Sequence, residues 1–493
     1  MKLSELQTKL LKQDSLKELG KRRLSSLRKE FKTEKVDNYN GNNSSKLLVS
    51  SNSVNLDKIN INTSNYNIDD LVIIGVSGSK GKSSVCKMIH EYLKSIGKKS
   101  VLYSSVEIDS FASIKTKHTS VEKVVQSENT LLDIIEECIA YESEYLVLEV
   151  NDRAIHDGLI KDIPFDIRVL TNVHKKNSTE FFKEDEYFAL KKSFIRDFTN
   201  DNNCKCILGM CDQYKVEDFN DLVRSANGEL KTYGTKFLCE AFNVSNNNLD
   251  YMAYGDETSK VNSLNGINFK IRIKDEVHAI TSKSIFSFSV LNILSAVSVL
   301  DTLNLFDVNK FNSLISKINI DGRDELIYAN GRYFLIGVSL MPHLELLNLM
   351  KENKEFKKLK LIMGSQGSSF ITWDEYFSSD LRKSRLSSIR KQAASYASKY
   401  CDFIYLTSND PGGANKMEIL NELRSYVKDK EQVKIVVDRK SAIREAIKNS
   451  NVNDLIYISG RGNRNVFCNS YDEMQLFTDK EVLLKELKDL GWL

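Results

Sequence analysis

The sequence predicts an α/β protein in which two parallel-sheet domains follow a helical N-terminal extension. From Leu71 onward, short apolar runs with strand character alternate with helical segments, which is typical of βαβ units and a parallel sheet. A second alternating series begins near residue 331. The chain has 493 residues, and at about 150 residues per domain this length predicts about three units.

Composition and charge narrow the class of protein. Apolar residues make up 41% of the chain and charged residues 28%, as in ordinary soluble globular proteins. The formal net charge of +3 is small for this length, so the overall charge of the protein does not indicate nucleic-acid binding. No stretch approaches the roughly 20 apolar residues of a membrane helix, and the N-terminus lacks the apolar core of a signal peptide. We therefore expect a cytoplasmic protein without a transmembrane segment.

The eight cysteines are scattered, which suits a reducing compartment. Four of them invite interpretation as a zinc site: Cys204, Cys206, Cys211 and Cys239. Their spacing lacks the paired C-x2-C knuckle, so unpaired cysteines are the favoured interpretation.

The predicted extension covers residues 1–67. Its first part, residues 1–36, has leucines near helical spacing and a concentration of basic residues, which are Lys21, Arg22, Arg23, Arg28 and Lys29. One interpretation is a contact with an anionic surface or a protein partner. The favoured alternative is a solvated helix packed on the body of the protein. Residues 37–67 are rich in Asn and Ser and indicate a linker.

Two domains are predicted after this linker. In the first, over residues 68–320, strands are expected in the runs LVIIGV, VLYSS, YLVLEV and FDIRVLTNV, and helices in SSVCKMIHEYLKSIG and TLLDIIEECIAY. In the second, over residues 321–493, strands are expected in GRYFLIGVSL, KLKLIMG, DFIYLTS, VKIVV and DLIYISG. Helical segments separate these five runs, so the second domain is expected to be Rossmann-like.

The segment Gly75–Ser84, GVSGSKGKSS, is the strongest local signal. It lies between a buried-strand run and a helical run, where glycines let backbone N–H groups approach phosphates and a helix N-terminus favours anions. Lys82 is expected to reach the β- and γ-phosphates, and Ser83 to coordinate Mg²⁺. The predicted nucleotide contacts are Gly78, Ser79, Lys80, Gly81, Lys82, Ser83 and Ser84.

The spacing of this loop is unusual. Five residues separate Gly75 from Gly81, whereas the common phosphate loop has four residues between its glycines. A glycine-rich turn without nucleotide is the alternative. Nucleotide binding is favoured because both flanks are correct and two serines follow Lys82.

The loop resembles that of the Mur ligase family, Gly-x-[Thr/Ser]-Gly-[Thr/Ser]-[Asn/Lys]-Gly-Lys-[Thr/Ser]-[Thr/Ser]. Further resemblances follow in the family's order, covering about residues 71–467: LEV at Leu148–Val150, FDIRVLTNV at Phe165–Val173, EYFALKKSF at Glu186–Phe194, FSVLNILSAVSVL at Phe288–Leu300, DGRDELI at Asp321–Ile327, TSNDP at Thr407–Pro411, DRKSAIREAI at Asp438–Ile447 and SGRGN at Ser459–Asn463. The last three follow the pattern of the tripeptide synthetase branch, which adds the third residue of the cell-wall peptide.

This resemblance implies a P-loop ATPase-like central domain, a Rossmann-like C-terminal ligase domain, and a cytoplasmic role in peptidoglycan biosynthesis. It also implies a reaction in which ATP phosphorylates a carboxylate and an amino acid's amine attacks the acyl phosphate. The implied cofactors are ATP and Mg²⁺, and the implied substrates are an amino acid and a carboxylate-bearing acceptor.

The resemblance assigns roles to individual residues. Glu149 corresponds to a Mg²⁺ ligand, and Lys191 to a lysine that is carbamylated in many members, which makes it a ligand of a second Mg²⁺. Asn292 falls where the family contacts adenine. Arg323 is expected to approach the nucleotide when the domains close, with an interdomain salt bridge at Arg323 and Glu325 as the alternative.

In the C-terminal domain, Asp410 and Arg461 are candidates for recognising the incoming amino acid. Thus Lys82, Lys191 and Arg323 are the predicted catalytic residues, and Ser83, Glu149 and Lys191 the predicted metal ligands.

Several family motifs are altered. Lys176 and Asn177 replace an Asp-His pair, and Gly337–Pro342 replaces Asp-Tyr-Ala-His before Thr-Pro. Asp-Asn-Pro-Arg becomes Asn409–Gly412, which argues against diaminopimelate as substrate. Arg464 replaces an acidic residue and suggests a positive pocket for an acidic substrate. Residues 1–67 show no signature of the family's N-terminal UDP-binding domain.

Three functions therefore remain open. The first is a divergent ligase for a cell-wall or other peptide-like acceptor. The second is a catalytically impaired relative that acts as a nucleotide-binding or assembly partner. The third is a polyglutamate or cyanophycin-type ligase.

Overall fold

The structure is a computed structural model. It describes residues 68–110, 116–117, 128–161, 163–174, 184–197, 204–212, 214–245, 248–255, 263–367, 379–469 and 473–493. The predicted basic extension and linker, residues 1–67, lie outside the described residues, as do Lys176 and Asn177.

The first sheet has eleven strands among the described residues. In chain order they are β1 Val72–Ser77, β2 Ser100–Tyr103, β3 Glu107–Asp109, β4 Thr116–Lys117, β5 Tyr145–Glu149, β6 Ile167–Leu170, β7 Lys205–Gly209, β8 Glu229–Thr235, β9 Tyr251–Tyr254, β10 Ile267–Ile273 and β11 Glu276–Ser282. Their spatial order is β11-β10-β9-β8-β7-β6-β1-β5-β2-β3-β4. The four strands predicted from apolar runs in this region are all present, as β1, β2, β5 and β6.

The predicted parallel sheet is wrong at its edges, because the observed sheet is mixed. Strands β9 to β2 pair in parallel, but β10 and β11 join one edge and β3 and β4 the other in antiparallel register. Strand β10 alternates buried and exposed residues, as expected for a strand with one face in water. The parallel centre lacks this alternation because helices cover both of its faces.

Helices cover both faces of the first sheet. They are α1 Lys82–Ser95, α2 Glu128–Ala140, α3 Asp152–His156, α4 Glu184–Arg196, α5 Val216–Ser225, α6 Lys236–Phe242, α7 Ser289–Thr302 and α8 Val308–Ile315, after a 3-10 turn at Ile68–Asp70. One core packs Ile73 and Leu148 beneath α2 and α4, and the other packs Ile74 and Val147 beneath α1 and α7.

The second sheet has six strands within the described ranges. They are β12 Glu325–Ala329, β13 Arg332–Gly337, β14 Leu359–Met363, β15 Phe403–Leu406, β16 Val433–Ile435 and β17 Leu455–Ser459, in the order β12-β13-β17-β14-β15-β16. All five strands predicted here are present and parallel, and β12 adds an antiparallel edge. A separate hairpin pairs β18 Val466–Cys468 with β19 Met474–Leu476.

Five helices flank the second sheet: α9 Met341–Glu352, α10 Ser379–Tyr400, α11 Lys416–Ser425, α12 Arg439–Lys448 and α13 Asp479–Asp489. Phe286, from the segment before α7, joins the core on one face of this sheet. The two α/β units therefore share apolar packing at their junction. Among the described helices, none combines the length and apolar character that crossing a bilayer requires.

Strand β1 lies where the order of the first sheet reverses. It pairs with β5 on one side and β6 on the other, and Val76 is in register with Glu149 and Ser77 with Leu170. The carboxyl ends of these three strands are therefore level. In open α/β sheets, ligands bind in the crevice at such a reversal.

Candidate functional site

The predicted phosphate loop joins β1 to α1 at this reversal. Gly78 has φ of 143° and Gly81 has φ of 85°, both in the region that favours glycine. A Cβ on Gly78 would lie 2.0 Å from Thr171 Oγ1, and one on Gly81 would lie 2.1 Å from Asn292 Oδ1. Glycine is thus required by both conformation and space. The loop is the strand-to-helix turn that the sequence predicted.

Thr171 and Asn172, just after β6, hold the loop from one side. Thr171 Oγ1 donates to Lys80 O at 2.7 Å, and Asn172 Oδ1 accepts from Lys80 N at 2.9 Å. Ser79 N donates to Asn172 O at 3.1 Å. Because both residues bond to main-chain atoms of the loop, they fix its backbone before any ligand arrives.

Three oxygen-bearing side chains form a buried network beside α1. Ser83 Oγ lies 2.8 Å from Ser105 Oγ, and Ser105 N donates to Glu149 Oε2 at 2.7 Å. Ser105 Oγ also donates to Glu149 Oε1 at 3.2 Å. Glu149, at the end of β5, is only 5% exposed. The predicted metal ligands Ser83 and Glu149 are therefore brought together.

Lys82 begins α1 and turns back over the loop. Its Nζ donates to Gly78 O at 2.8 Å, so its ammonium lies above the glycine-rich turn. Asn292, on α7, meets the loop from the other side at Gly81. Among the remaining loop residues, Ser84 is half-buried and Lys80 is exposed.

Lys191 is fully buried, and it points at the loop. Its Nζ donates to Ser77 Oγ and to Gly78 O, each at 3.2 Å, and forms an ion pair with Asp152 Oδ1. Burial opposes ionisation of Asp152, but the ammonium groups of Lys191 and Lys82 outweigh it and lower the pKa of its carboxyl. Beside the loop, the positive charge of Lys191 is therefore balanced by the negative charge of Asp152.

The register of α4 is settled by two neighbouring contacts. Tyr187, one turn before Lys191, places its Oη 2.8 Å from Ser79 Oγ. Lys192 instead points away from the loop and pairs with Asp221 at 2.9 Å. Lys191 is therefore the lysine that faces the phosphate loop.

The segment linking the two units lies against the same site. Burial lowers the pKa of the Arg323 guanidinium, and the carboxylates of Glu149 and Asp324 act in the opposite direction. Glu325 accepts from Asn319 Nδ2 at 2.8 Å and pairs with Lys480 Nζ at 2.6 Å. Glu325 and Lys480 both belong to the second unit, so the interdomain salt bridge considered for Arg323 and Glu325 stays a prediction. Arg323 itself lies within electrostatic range of Glu149.

Asp410 and Arg461 lie inside the second unit. Arg461 Nη1 forms an ion pair with Asp410 Oδ1, and both residues are at most 1% exposed. Arg461 Nη2 donates to Val466 O at 2.8 Å, and its guanidinium packs over the Phe467 ring. These side chains brace the loop that precedes β18, and their predicted contact with the amino acid stays a prediction.

Sequence reasoning missed several residues of this site. Ser105 and Asp152 received no role, and Thr171 and Asn172 were noted as a motif without a function. Each follows a parallel strand of the first sheet, namely β2, β5 or β6. Position after a parallel strand was the available signal, since those ends meet at one edge of the sheet.

Comparisons with known proteins agree with this arrangement. A sequence profile described as Mur ligase middle domain matches residues 76–300, and one described as Mur ligase, glutamate ligase domain matches residues 376–462. The chain is 27% identical over 434 residues to the UDP-N-acetylmuramoyl-L-alanyl-D-glutamate--2,6-diaminopimelate ligase of Caldanaerobacter subterraneus subsp. tengcongensis, covering 87% of this chain and 79% of that relative.

Solved structures show the same fold. The MurF ligase from Thermotoga maritima in complex with ADP aligns with a TM-score of 0.55 at 15% identity, covering 85% of this chain and 79% of that one. The bifunctional folylpolyglutamate synthase/dihydrofolate synthase from Yersinia pestis, complexed with AMPPNP and Mn ion, aligns with a TM-score of 0.53 at 12% identity. The alignment covers 85% of this chain and 89% of that one.

Proposed function

Because the chain belongs to the Mur ligase family of ATP-dependent acid–amino-acid ligases, we propose that it joins an amino acid to a carboxylate-bearing acceptor at the expense of ATP. The observation that carries the proposal is the phosphate loop, held by Thr171 and Asn172 at the reversal of the first sheet. Arg323, from the segment leading into the second unit, adds a cation there.

The loop is suited to a triphosphate. Its backbone N–H groups and the N-terminus of α1 favour an anion, and Lys82 supplies an ammonium at Gly78. In the nucleotide complex, phosphate oxygens would replace Gly78 O as the hydrogen-bond acceptors of the Lys82 ammonium. Gly78, Ser79, Lys80, Gly81, Ser83 and Ser84 are the proposed loop contacts, and Asn292 is the proposed contact for adenine.

The Ser83, Ser105 and Glu149 network fits a magnesium ion. Hydroxyl and carboxylate oxygens are the hard donors that Mg²⁺ prefers, and Glu149 brings the negative charge into a buried position. When bound, Mg²⁺ would neutralise phosphate charge. Ser83 and Glu149 are the proposed ligands, and Ser105 holds the carboxylate in place.

The proposed reaction has two steps. The acceptor carboxylate attacks the γ-phosphorus of ATP, which gives an acyl phosphate and ADP; the amine then attacks the acyl carbon, and phosphate leaves. Such chemistry depends on positioning and charge stabilisation rather than on a protein nucleophile. Lys82, Lys191 and Arg323 are the proposed cations around the transferred group.

The second unit is the proposed source of amino-acid specificity. Asp410 and Arg461 are buried against each other, and Arg464 Nη1 lies 3.5 Å from Asp410 Oδ2. We expect the buried pair to shape the pocket and the half-buried Arg464 to face an acidic amino acid. The acceptor is proposed as a peptide-like carboxylate, with or without a UDP group.

A nucleotide-binding assembly partner is the second candidate. The ion pair of Lys191 with Asp152 favours it, because a lysine engaged in this pair contributes no carbamate ligand. Both candidates predict ATP binding, but only the ligase predicts turnover that depends on an acceptor.

The test is acceptor-dependent ADP formation, with the amide product identified by mass spectrometry. The protein is incubated with ATP, Mg²⁺, amino acids and a panel of muramoyl-peptide and UDP-free peptide acceptors. We expect Glu149→Gln to lower turnover by about 100-fold or more, which corresponds to roughly 2.7 kcal/mol of transition-state stabilisation. Glu144→Gln, at an exposed surface pair with Lys98, is the matched control. Nucleotide binding without turnover on any acceptor would favour the assembly partner.

A further inference from the structure

Two clusters in the described part of the chain place three potential metal ligands close together. One contains His90, Glu91 and Asp109, and the other contains His174, Cys211 and Asp212. In the first cluster, lysines already occupy the carboxylates: Lys94 Nζ lies 2.6 Å from Asp109 Oδ2, and Lys87 Nζ lies 2.7 Å from Glu91 Oε1. That cluster is an ion-pair network, so the second one is the candidate for a bound cation.

The second cluster lies at the ligand-binding edge of the first sheet. His174 follows β6 by four residues, Cys211 and Asp212 follow β7 directly, and these strands are parallel neighbours with Leu170 in register with Leu208. Both segments therefore leave the sheet on the edge that carries the phosphate loop. The link to the loop is direct, because His174 N donates to Ser79 Oγ at 2.9 Å.

The three ligand atoms are near enough to one another to approach a single metal ion. One ligand atom from each of the three residues lies within 4.8 Å of the others. With metal–nitrogen and metal–oxygen bonds of about 2.0–2.2 Å and a metal–sulfur bond of about 2.3 Å, tetrahedral ligands are roughly 3.5 Å apart. A shift of about 1 Å, within the reach of side-chain rotation, would bring the atoms to this separation.

The chemistry of the three side chains suits a borderline-soft cation. Cys211 is 2% exposed, and its Sγ lies 3.6 Å from Asp212 Oδ1. His174 offers an imidazole nitrogen to the same point, and imidazole is a common ligand of zinc-class ions. A thiolate and a carboxylate would supply two negative charges, which offset the nearby Lys80 ammonium. Sulfur and nitrogen ligands select zinc-class ions over magnesium.

We propose that His174, Cys211 and Asp212 bind one zinc-class divalent cation, with a fourth coordination position open to solvent. This site uses none of the residues proposed to hold Mg²⁺. Because the backbone N–H of His174 donates a hydrogen bond to Ser79 Oγ, a cation bound by His174 would fix the segment that supports the phosphate loop. The proposal goes beyond the proposed ligase activity and does not depend on it.

The test is a titration of the chelator-treated full chain with Co²⁺ alone, followed by its absorption spectrum, and with Zn²⁺ alone, followed by elemental analysis. We expect one equivalent of either ion and a cobalt–thiolate charge-transfer band in the near ultraviolet. Cys211→Ser should remove the band. His174→Ala removes a ligand and should weaken binding by at least the roughly tenfold that is lost when a group merely orienting a ligand is removed.

Two further variants keep the result interpretable. Cys239→Ser changes another fully buried cysteine of the same unit, outside the cluster, and should retain the band. Asp212→Asn alters an exposed side chain, so it should fold normally while binding Co²⁺ more weakly. Lys82→Ala should bind Co²⁺ like the wild type, which separates this site from the nucleotide site. Substoichiometric metal, or a band that survives Cys211→Ser, would overturn the proposal.

Discussion

At the scale of single residues, the ion pair between the buried Lys191 and the half-buried Asp152 is the feature with the greatest bearing on chemistry. Carbamylation requires a free amine that attacks CO₂, and in the structure the amine of Lys191 is paired with the carboxylate of Asp152. The sequence predicted a carbamylated Lys191 as a metal ligand, and that stays a prediction. The structure shows that carbamylation of Lys191 would have to compete with its ion pair to Asp152.

We predict that Asp152 controls carbamylation of Lys191. In a protein equilibrated with [13C]bicarbonate, a carbamate gives an additional carbonyl-region 13C resonance. We expect this resonance to be stronger in Asp152→Asn than in the wild type, because the neutral amide cannot form the ion pair that engages the Lys191 amine. Lys191→Arg, which keeps the charge but has no amine, is the control and should show none. An equally strong resonance in wild type and Asp152→Asn would refute this control by Asp152.

Gly81 offers a second residue-scale prediction, with Gly97 as a matched control. Both have φ of 85°, but a Cβ on Gly97 meets nothing within 4 Å, whereas one on Gly81 would lie 2.1 Å from Asn292 Oδ1. Each Gly→Ala change costs roughly 1–2 kcal/mol of backbone strain.

Only Gly81→Ala should also displace the phosphate loop from Asn292. We expect it to weaken binding of an ATP analogue by about tenfold or more, equivalent to at least 1.4 kcal/mol, measured by calorimetric titration. Gly97→Ala should keep the wild-type affinity. Equal affinities of the two variants would show that contact with Asn292 does not position the loop.

At the scale of secondary-structure elements, the sequence predicted the parallel strands well and the antiparallel ones poorly. Buried central strands such as β1 and β17 are nearly continuous apolar runs, which stand out from their surroundings. By contrast, β10 and β11 mix exposed residues such as Lys270 and Thr281 with buried ones, and their runs do not stand out as apolar strands. The mixed sheet could not be foreseen because edge pairing depends on tertiary packing.

The predicted helices show a similar division between what sequence does and does not reveal. The segment DRKSAIREAI was matched to a family motif, and α12 is indeed a helix there. The first arginine of this segment, Arg439, has a structural partner that is distant in sequence. Arg439 donates two hydrogen bonds of 2.8 Å to Asp479, which begins α13. Such pairing across 40 residues leaves no local signal.

We predict that this pair matters for stability. Both side chains are at most 1% exposed, so Asp479→Asn would leave a buried guanidinium without its counter-charge. The free energy of unfolding should fall by about 3–5 kcal/mol, as measured by urea denaturation. Glu445→Gln removes the partner of Lys434 at a largely exposed pair and should cost at most about 1 kcal/mol. Similar losses for the two variants would contradict this account.

At the scale of the whole molecule, the two α/β units meet through a few specific contacts near the phosphate loop. Asn463 Nδ2 donates to Val106 O of the first unit at 2.9 Å. Within the second unit, Gly322 packs so closely against the same loop that a Cβ would lie 2.1 Å from Asn463 N. The first contact joins a loop of the second unit to the segment that carries Ser105. The sequence predicted that Arg323 lies at this junction, but it did not predict the hydrogen bond between Asn463 and Val106 that joins the two units there.

The candidate site could be predicted as far as one continuous motif reached. Gly78, Lys82 and Ser83 were predicted because they lie in one continuous motif, and Glu149 because the strand it ends resembles the family's Mg²⁺-binding strand. Asp152 and Ser105 were missed, since nothing local distinguishes a polar residue after one strand from a polar residue after another. Their roles depend on which strands the sheet brings together.

The central claim is that this loop, with Lys82 above it, binds a triphosphate together with Mg²⁺. The most direct measurement is a calorimetric titration of a non-hydrolysable ATP analogue into wild type, Lys82→Ala and Lys98→Ala, with and without Mg²⁺. Loss of a charge-assisted contact of roughly 2 kcal/mol should weaken binding to Lys82→Ala by about 30-fold. Lys98→Ala, at an exposed pair with Glu144, should bind like the wild type. Wild-type protein that binds no nucleotide, or that binds it equally well without Lys82 or Mg²⁺, would contradict the claim.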